Sequence, residues 1–189
     1  MKDLEGFIKT RLNQNLYHHC LRTAEYAGTL ARRFGVDVEK GSCSALLHDL
    51  ARGYQDDELL NLARHFDILV DDISRSAPVL LHGPVGAEIA RRELGIADHD
   101  VLAAIKNHTT GVPYMSRLEM VILVADTAEP ARDFPRVERI RLAAERDLAD
   151  ATRQVMVSKV AYLLQRGLRI HPLYVETWNW ICDTSVNLR

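Results

Sequence analysis

Apolar residues recur at intervals of three and four along nearly the whole chain, and the breaks between these runs are built from helix-capping residues. Leu16, Cys20, Thr23, Ala24, Ala27, Leu30, Ala31 and Phe34 line one face of a predicted helix, which Gly35 closes. Asp37 is placed to cap a second helix running through "EKGSCSALLHDLAR" to Gly53, and "DDELLNLARHF" predicts a shorter one. The acidic stretch around Asp71 and Asp72 reads as irregular. In "LLHGPVGAEIARRELG" Pro84 lies near a helix start and Gly95 just past its end, the asymmetry expected of helix termini. Asp98 caps "HDVLAAIKNH", and Ser116 with Glu119 forms a capping box that opens "RLEMVILVADTA", which Pro130 follows. Beyond Pro135 the pattern predicts two helices up to Gly167 and a last one through "YVETWNWI". No βαβ alternation, glycine-rich phosphate loop or internal repeat occurs. The expected fold class is all-α, with about eight or nine helices.

Length narrows this to a single domain over residues 1–189, with a core at about 16–130 and C-terminal helices at about 135–183 packing on it. Hydrophobic residues make up 47% and charged residues 26%, an ordinary globular balance. No apolar run reaches membrane-spanning length, and the acidic N-terminal stretch is unlike a signal peptide, so no membrane partner and a cytoplasmic location are expected. Cys20, Cys43 and Cys182 stand far apart with no CxxC pair, which fits reduced thiols and gives no thiolate metal site. A formal net charge of −2 argues against extended nucleic-acid binding but leaves room for a local anion site. The Met and Trp positions read as core, His65 and His99 as surface, and a homodimer is left open.

Six polar residues interrupt the apolar faces. His19 lies beside the first stripe, His48 and Asp49 follow "SALL", His82 follows "VLL", His108 ends "LAAIKN" and Asp126 follows "MVILVA". A lone buried histidine is ordinarily a hydrogen-bonded core residue, and an aspartate near a helix end is ordinarily a cap. Six of them on five segments would gather several costly groups in one core. Metal binding removes that cost by turning imidazoles and carboxylates into ligands. A donor set of imidazole and carboxylate without thiolate suits iron, manganese, cobalt, nickel or zinc and disfavours calcium and magnesium. Six ligands exceed the needs of one tetrahedral ion, so a two-metal site with a bridging carboxylate is expected, its ions about 3.5–4 Å apart. His48 and Asp49 project about 100° apart on a helix, so both reach one point only if that helix passes tangentially beside it.

The order His19, then His48-Asp49, then Asp126 resembles the H…HD…D signature of the HD-domain metal-dependent phosphohydrolases, which are all-helical, with His82 and His108 at the two further positions of its two-metal branches. The strings "LYHHCLRTAEYAGTLARRFG", "ALLHDLARG", "LLHGPVGAEIARRELGI", "VLAAIKNHTTGVPYMSRLEMVILVADTAEPARDFP" and "GLRIHP" are similar to the YqeK-type branch, the bacterial symmetrical diadenosine-tetraphosphate hydrolases. The resemblance runs from about Leu16 to Trp180. It implies a di-iron enzyme that hydrolyses diadenosine tetraphosphate to two ADP. His19, His48, Asp49 and Asp126 would hold one metal, and Asp49 would bridge to a second completed by His82 and His108. A metal-bridging hydroxide would be the nucleophile. Arg132 would contact the nucleotide phosphates, joined by Arg52, Thr109 and the segment Arg169, Ile170 and His171. Leu16 departs from the pattern, since many members carry arginine there, and His18 or Arg22 is the candidate to compensate. Two other readings stay open: a related HD nucleotidase or phosphodiesterase acting on another nucleotide, and a non-catalytic nucleotide-binding regulator.

Overall fold

Side-chain caps decide where most helices of this chain begin. In the computed structural model, which describes residues 3–184, Asp3 accepts from Gly6 N–H and opens α1 (Leu4–Arg11), and Asn13 accepts from Leu16 N–H and opens α2 (Gln14–Arg33). Asp37 accepts from two main-chain amides to start α3 (Val38–Leu47), and α4 (Asp56–His65) follows with three acidic residues in its first turn. Asp71 caps α5 (Asp72–Ser76), a short 3-10 helix spans Pro78–Leu81, and α6 (His82–Glu93) continues from it. Asp98 caps α7 (His99–Asn107), and both halves of the Ser116–Glu119 box are formed at the start of α8 (Arg117–Ala128). The chain ends in α9 (Val137–Ala144), α10 (Leu148–Gln165) and α11 (Pro172–Thr184). Among the described residues there is no strand, and no helix is long and apolar enough to cross a membrane.

Three expectations need correction. The described residues hold eleven α-helices rather than eight or nine. The additions are α1 and the five-residue α5, which is too short to show a period and is set by Asp71 accepting from Ile73 and Ser74. The helix through "SALLHDLARG" does not reach Gly53. It stops at Leu47, and the chain goes on in tightened turns in which Leu50 bonds to Leu47, Arg52 to Asp49 and Tyr54 to Ala51. Met115, Met120 and Met156 are buried as expected, but Trp178 is exposed.

Two apolar clusters share the helices that carry the polar residues. One is centred on α8, α9 and α10, with Ala27 and Leu30 of α2, Ala45 of α3 and Ala104 of α7. The other gathers Ile8, Cys20, Leu47, Leu59, Val85, Ile89 and Ile105 from α1, α2, α3, α4, α6 and α7. Ala104 faces one cluster and its neighbour Ile105 the other. Helices α2, α3 and α7 are thus packed on two sides, which fixes the direction of their polar residues.

Candidate metal centre

His19 lies in the second turn of α2, and the His48-Asp49 pair in the turns just past α3. His82 is the first residue of α6, His108 caps the end of α7, and Asp126 lies in the last turn of α8. Helix ends can bring side chains of different elements to one point without opening a helix interior, and all six meet here. His19 Nε2 lies 3.2 Å from His48 Nε2 and 3.1 Å from Asp126 Oδ1, while His48 Nε2 lies 3.5 Å from the same oxygen. His82 Nε2 lies 2.9 Å from His108 Nε2, with Asp49 Oδ1 at 3.2 and 3.6 Å from the two. The other oxygen of Asp49, Oδ2, points to the first group, 3.5 Å from His48 Nε2 and 3.8 Å from His19 Nε2. Asp49 therefore faces both groups, one oxygen to each.

The rear face of each imidazole explains why these nitrogens converge. Nδ1 of His48 meets the Ala45 carbonyl at 2.6 Å, Nδ1 of His108 meets that of Ile105 at 2.8 Å, and Nδ1 of His82 meets that of Val79. His19 Nδ1 meets Glu129 Oε1 at 3.2 Å. A ring that donates from Nδ1 presents Nε2 as a lone pair. The four Nε2 atoms thus converge, and in the neutral rings that a cation requires they present their lone pairs to it. The spacings fit as well. Donors about 2.1 Å from an ion are about 3.0 Å apart at 90° and about 3.4 Å apart at the tetrahedral angle. The set His19, His48 and Asp126 and the set His48, Asp49 and His108 can each enclose an ion.

Electrostatics fit the same use. Burial opposes ionisation of Asp49 and Asp126, yet the surrounding histidines hold both carboxyls well below their ordinary range. Burial also opposes the imidazolium of His48, but Asp49 and Asp126 outweigh it and raise its pKa to about 9. Around His108 burial prevails, and its pKa falls to about 4. Two anionic carboxylates are therefore present across the neutral range.

Several groups surround the six. Arg132 donates from Nη2 to Asp126 Oδ1 at 2.9 Å and from Nε to the Asp126 carbonyl at 3.0 Å. The loop that carries it is held by Arg141, which donates to the carbonyls of Ala128, Glu129 and Arg132. Thr109 Oγ1 lies 3.2 Å from His82 Nε2. Arg52 is exposed beyond the pair, with its N–H on the Asp49 carbonyl. Arg169 is exposed with Nη1 3.5 Å from Ser76 Oγ, Ile170 packs against the α8 cluster, and His171 Nε2 lies 3.0 Å from Asp71 Oδ2. A cavity of about 670 Å³ is lined by Thr109 and His171 together with Leu80, Leu102 and Leu173. Arg22, a candidate to compensate for the arginine absent at position 16, has its Nε and Nη2 on Glu129 in this structure.

Sequence reasoning missed Glu129 and Lys159. Glu129 follows Asp126 by one helical turn and so returns to the same face, a spacing that could have revealed it. Lys159 interrupts the apolar run "VMVSKVAYLL" of α10 and donates to the carbonyls of His108 and Thr109 at 3.3 and 2.9 Å. Burial lowers its pKa, and its ammonium sits 3.9 Å from Asp126 Oδ2.

Comparison with known proteins agrees with this geometry. The family model for the HD domain matches residues 16–151. The symmetrical bis(5'-nucleosyl)-tetraphosphatase of Halalkalibacterium halodurans is 39% identical over 172 residues, covering 91% of this chain and 91% of that protein. Its namesake from Bacillus subtilis is 35% identical, covering 94% of this chain and 95% of that one. A crystal structure from Clostridium acetobutylicum, described as a predicted HD superfamily hydrolase involved in NAD metabolism, superposes with a TM-score of 0.93 at 31% identity and covers 96% of both chains.

Proposed function

The chain belongs to the HD-domain family, and from that premise we propose that it is a metal-dependent hydrolase that cleaves diadenosine tetraphosphate symmetrically into two ADP. The observation that carries the reading is Asp49, whose two oxygens face two separate histidine groups, each with its Nδ1 atoms already engaged. Retention of all six candidate ligands counts against a regulator without turnover. Two ions held there would supply Lewis acidity and activate water for attack. His19, His48, Asp49 and Asp126 would hold the first ion, and His82, His108 and the second oxygen of Asp49 the other. The all-nitrogen-and-oxygen donor set fits iron, manganese, cobalt, nickel or zinc, and of these iron is the metal that the family resemblance implies.

The remaining residues divide the substrate's charge among them. Arg132, whose side chain is 41% exposed, can turn outward from Asp126 to a phosphate and offer two parallel donors. Thr109 stands between the His82 group and the cavity that His171 also lines, which suits a phosphate at the hydroxyl and a nucleoside beyond it. Arg52 is exposed and available to phosphates beyond the pair, and Arg169 and Ile170 lead into His171. Lys159 ties the His108–Thr109 turn to α10 and sets a positive charge behind Asp126. The free thiols of Cys20 and Cys43 fit a reducing cytoplasm.

The test is a product panel with diadenosine tetraphosphate, mononucleotides, cyclic dinucleotides and NAD, with products separated by chromatography. ADP as the sole product from the first supports the proposal. Inorganic phosphate or nucleoside from another substrate would move the chain to a different HD activity.

A further inference from the structure

Three of the four convergent histidines are oriented by main-chain carbonyls three residues earlier, a partner that helical geometry supplies automatically. His19 alone is backed by a carboxylate, Glu129, which lies 110 residues away and is 1% exposed. We infer that Glu129 is a positioning residue that strengthens the His19–His48–Asp126 half of the centre, so that two ions load in order and that half fills first. The inference rests on the two-ion reading above.

The oxygens of Glu129 are fully used. Oε2 accepts from Arg22 Nε at 2.8 Å and from Ala131 N–H at 2.7 Å. Oε1 accepts from Arg22 Nη2 at 3.1 Å and faces His19 Nδ1 at 3.2 Å. The guanidinium therefore fixes the carboxylate from one side while its remaining direction points at the ring. An anionic acceptor behind an imidazole raises its basicity as a ligand above what a neutral carbonyl achieves, and such outer partners are worth about 10–100-fold in metal affinity. In the His19 half, His19, His48 and Asp126 form one set, and Asp49 Oδ2 lies 3.5 and 3.8 Å from His48 and His19; in the other half His82 and His108 share Asp49 Oδ1. Behind His82 and His108 there is no carboxylate partner among the described contacts, only the Val79 and Ile105 carbonyls.

Cobalt(II) titration of the metal-free protein, followed by calorimetry and visible absorption, tests this. Wild type takes up two ions in two steps. In a His82→Ala background one step remains, and adding Glu129→Gln weakens it about 10–100-fold. In an Asp126→Ala background the remaining step is unmoved by Glu129→Gln. Arg22→Gln, which keeps the carboxylate but removes its anchor, weakens the same step as Glu129→Gln by less, and it decides the matter if circular dichroism shows that the glutamate variant does not fold. Unchanged cobalt affinity in the His82→Ala background overturns the inference and leaves Glu129 as a loop anchor. Equal weakening in both backgrounds overturns it as well. A wild-type protein that takes up no cobalt refutes the metal reading itself.

Discussion

Replacing Gly83 by alanine would set a methyl carbon 2.6 Å from the Lys106 carbonyl oxygen and 3.2 Å from that of Ile105. Both atoms are main chain in α7, so no side chain can swing away. Restoring ordinary contact at 3.4 Å requires α6 and α7 to separate by about 0.8 Å at this point. Gly83 is the second residue of α6, and His82 just before it must move with the backbone. His82 Nε2 would then leave its position 2.9 Å from His108 Nε2 and 3.2 Å from Asp49 Oδ1. Overpacking of this kind costs about 1–3 kcal/mol. For a chain of this length that corresponds to a fall of about 2–12 °C in Tm. Misplacement of a ligand by nearly 1 Å lowers kcat by about 100-fold. Gly86 provides a matched control one turn further along, because a methyl there would meet Ala51 N, His48 O and Ile105 Cγ2 at 3.7–3.8 Å, an ordinary contact. Gly86→Ala should therefore gain about 0.4–1 kcal/mol and keep activity. Thermal melts, metal content and hydrolysis rates of both variants check the prediction. A Gly83→Ala protein with wild-type Tm, metal and rate would refute it, and so would equal damage in Gly86→Ala.

Arg132→Ala should lower kcat/KM for diadenosine tetraphosphate by about 10²–10³-fold while metal content by elemental analysis stays at the wild-type value. Ser116→Ala removes the acceptor that caps α8 at Glu119 N–H and should cost about 1 kcal/mol in chemical denaturation with little change in rate. For Glu129, burial raises the carboxyl pKa but Arg22, the Ala131 N–H and His19 outweigh it, bringing it from 4.5 to about 2. A depressed folded value means that its stabilisation is present above about pH 4.5 and is lost as pH falls towards 2. The urea midpoint of the metal-free wild type should therefore exceed that of Glu129→Gln at pH 6, and the gap should close as the pH is lowered through this window.

The helices legible in the sequence were those with both a cap and a long apolar stripe, and α2, α7 and α8 begin within a few residues of their predicted starts. Where apolar residues continued past a true end, periodicity overran it. "SALLHDLARG" reads as helix because Leu47, Leu50 and Ala51 are all buried, yet the i→i+3 turns after Leu47 are what let His48 and Asp49 face one centre together. Helix α5 was hidden because five residues carry no period, so the acidic stretch around Asp71 and Asp72 reads as irregular although Asp71 caps a helix there. The six central polar residues were legible because each breaks an apolar face. Glu129 and Lys159 were not, since a charged residue at a helix end or on a half-buried helix is ordinarily solvated. What marks them is their tertiary partners, His19 for one and the His108–Thr109 carbonyls for the other.

If two ions held by His19, His48, Asp49, His82, His108 and Asp126 serve symmetrical cleavage, metal and turnover stand or fall together. Elemental analysis of the purified protein, coupled to product identification with diadenosine tetraphosphate, is the decisive measurement. Two transition-metal ions per chain, ADP as the only product, and loss of both metal and turnover in Asp49→Ala are expected. Turnover that persists after Asp49→Ala, or a split into AMP and ATP by the intact protein, would contradict this expectation.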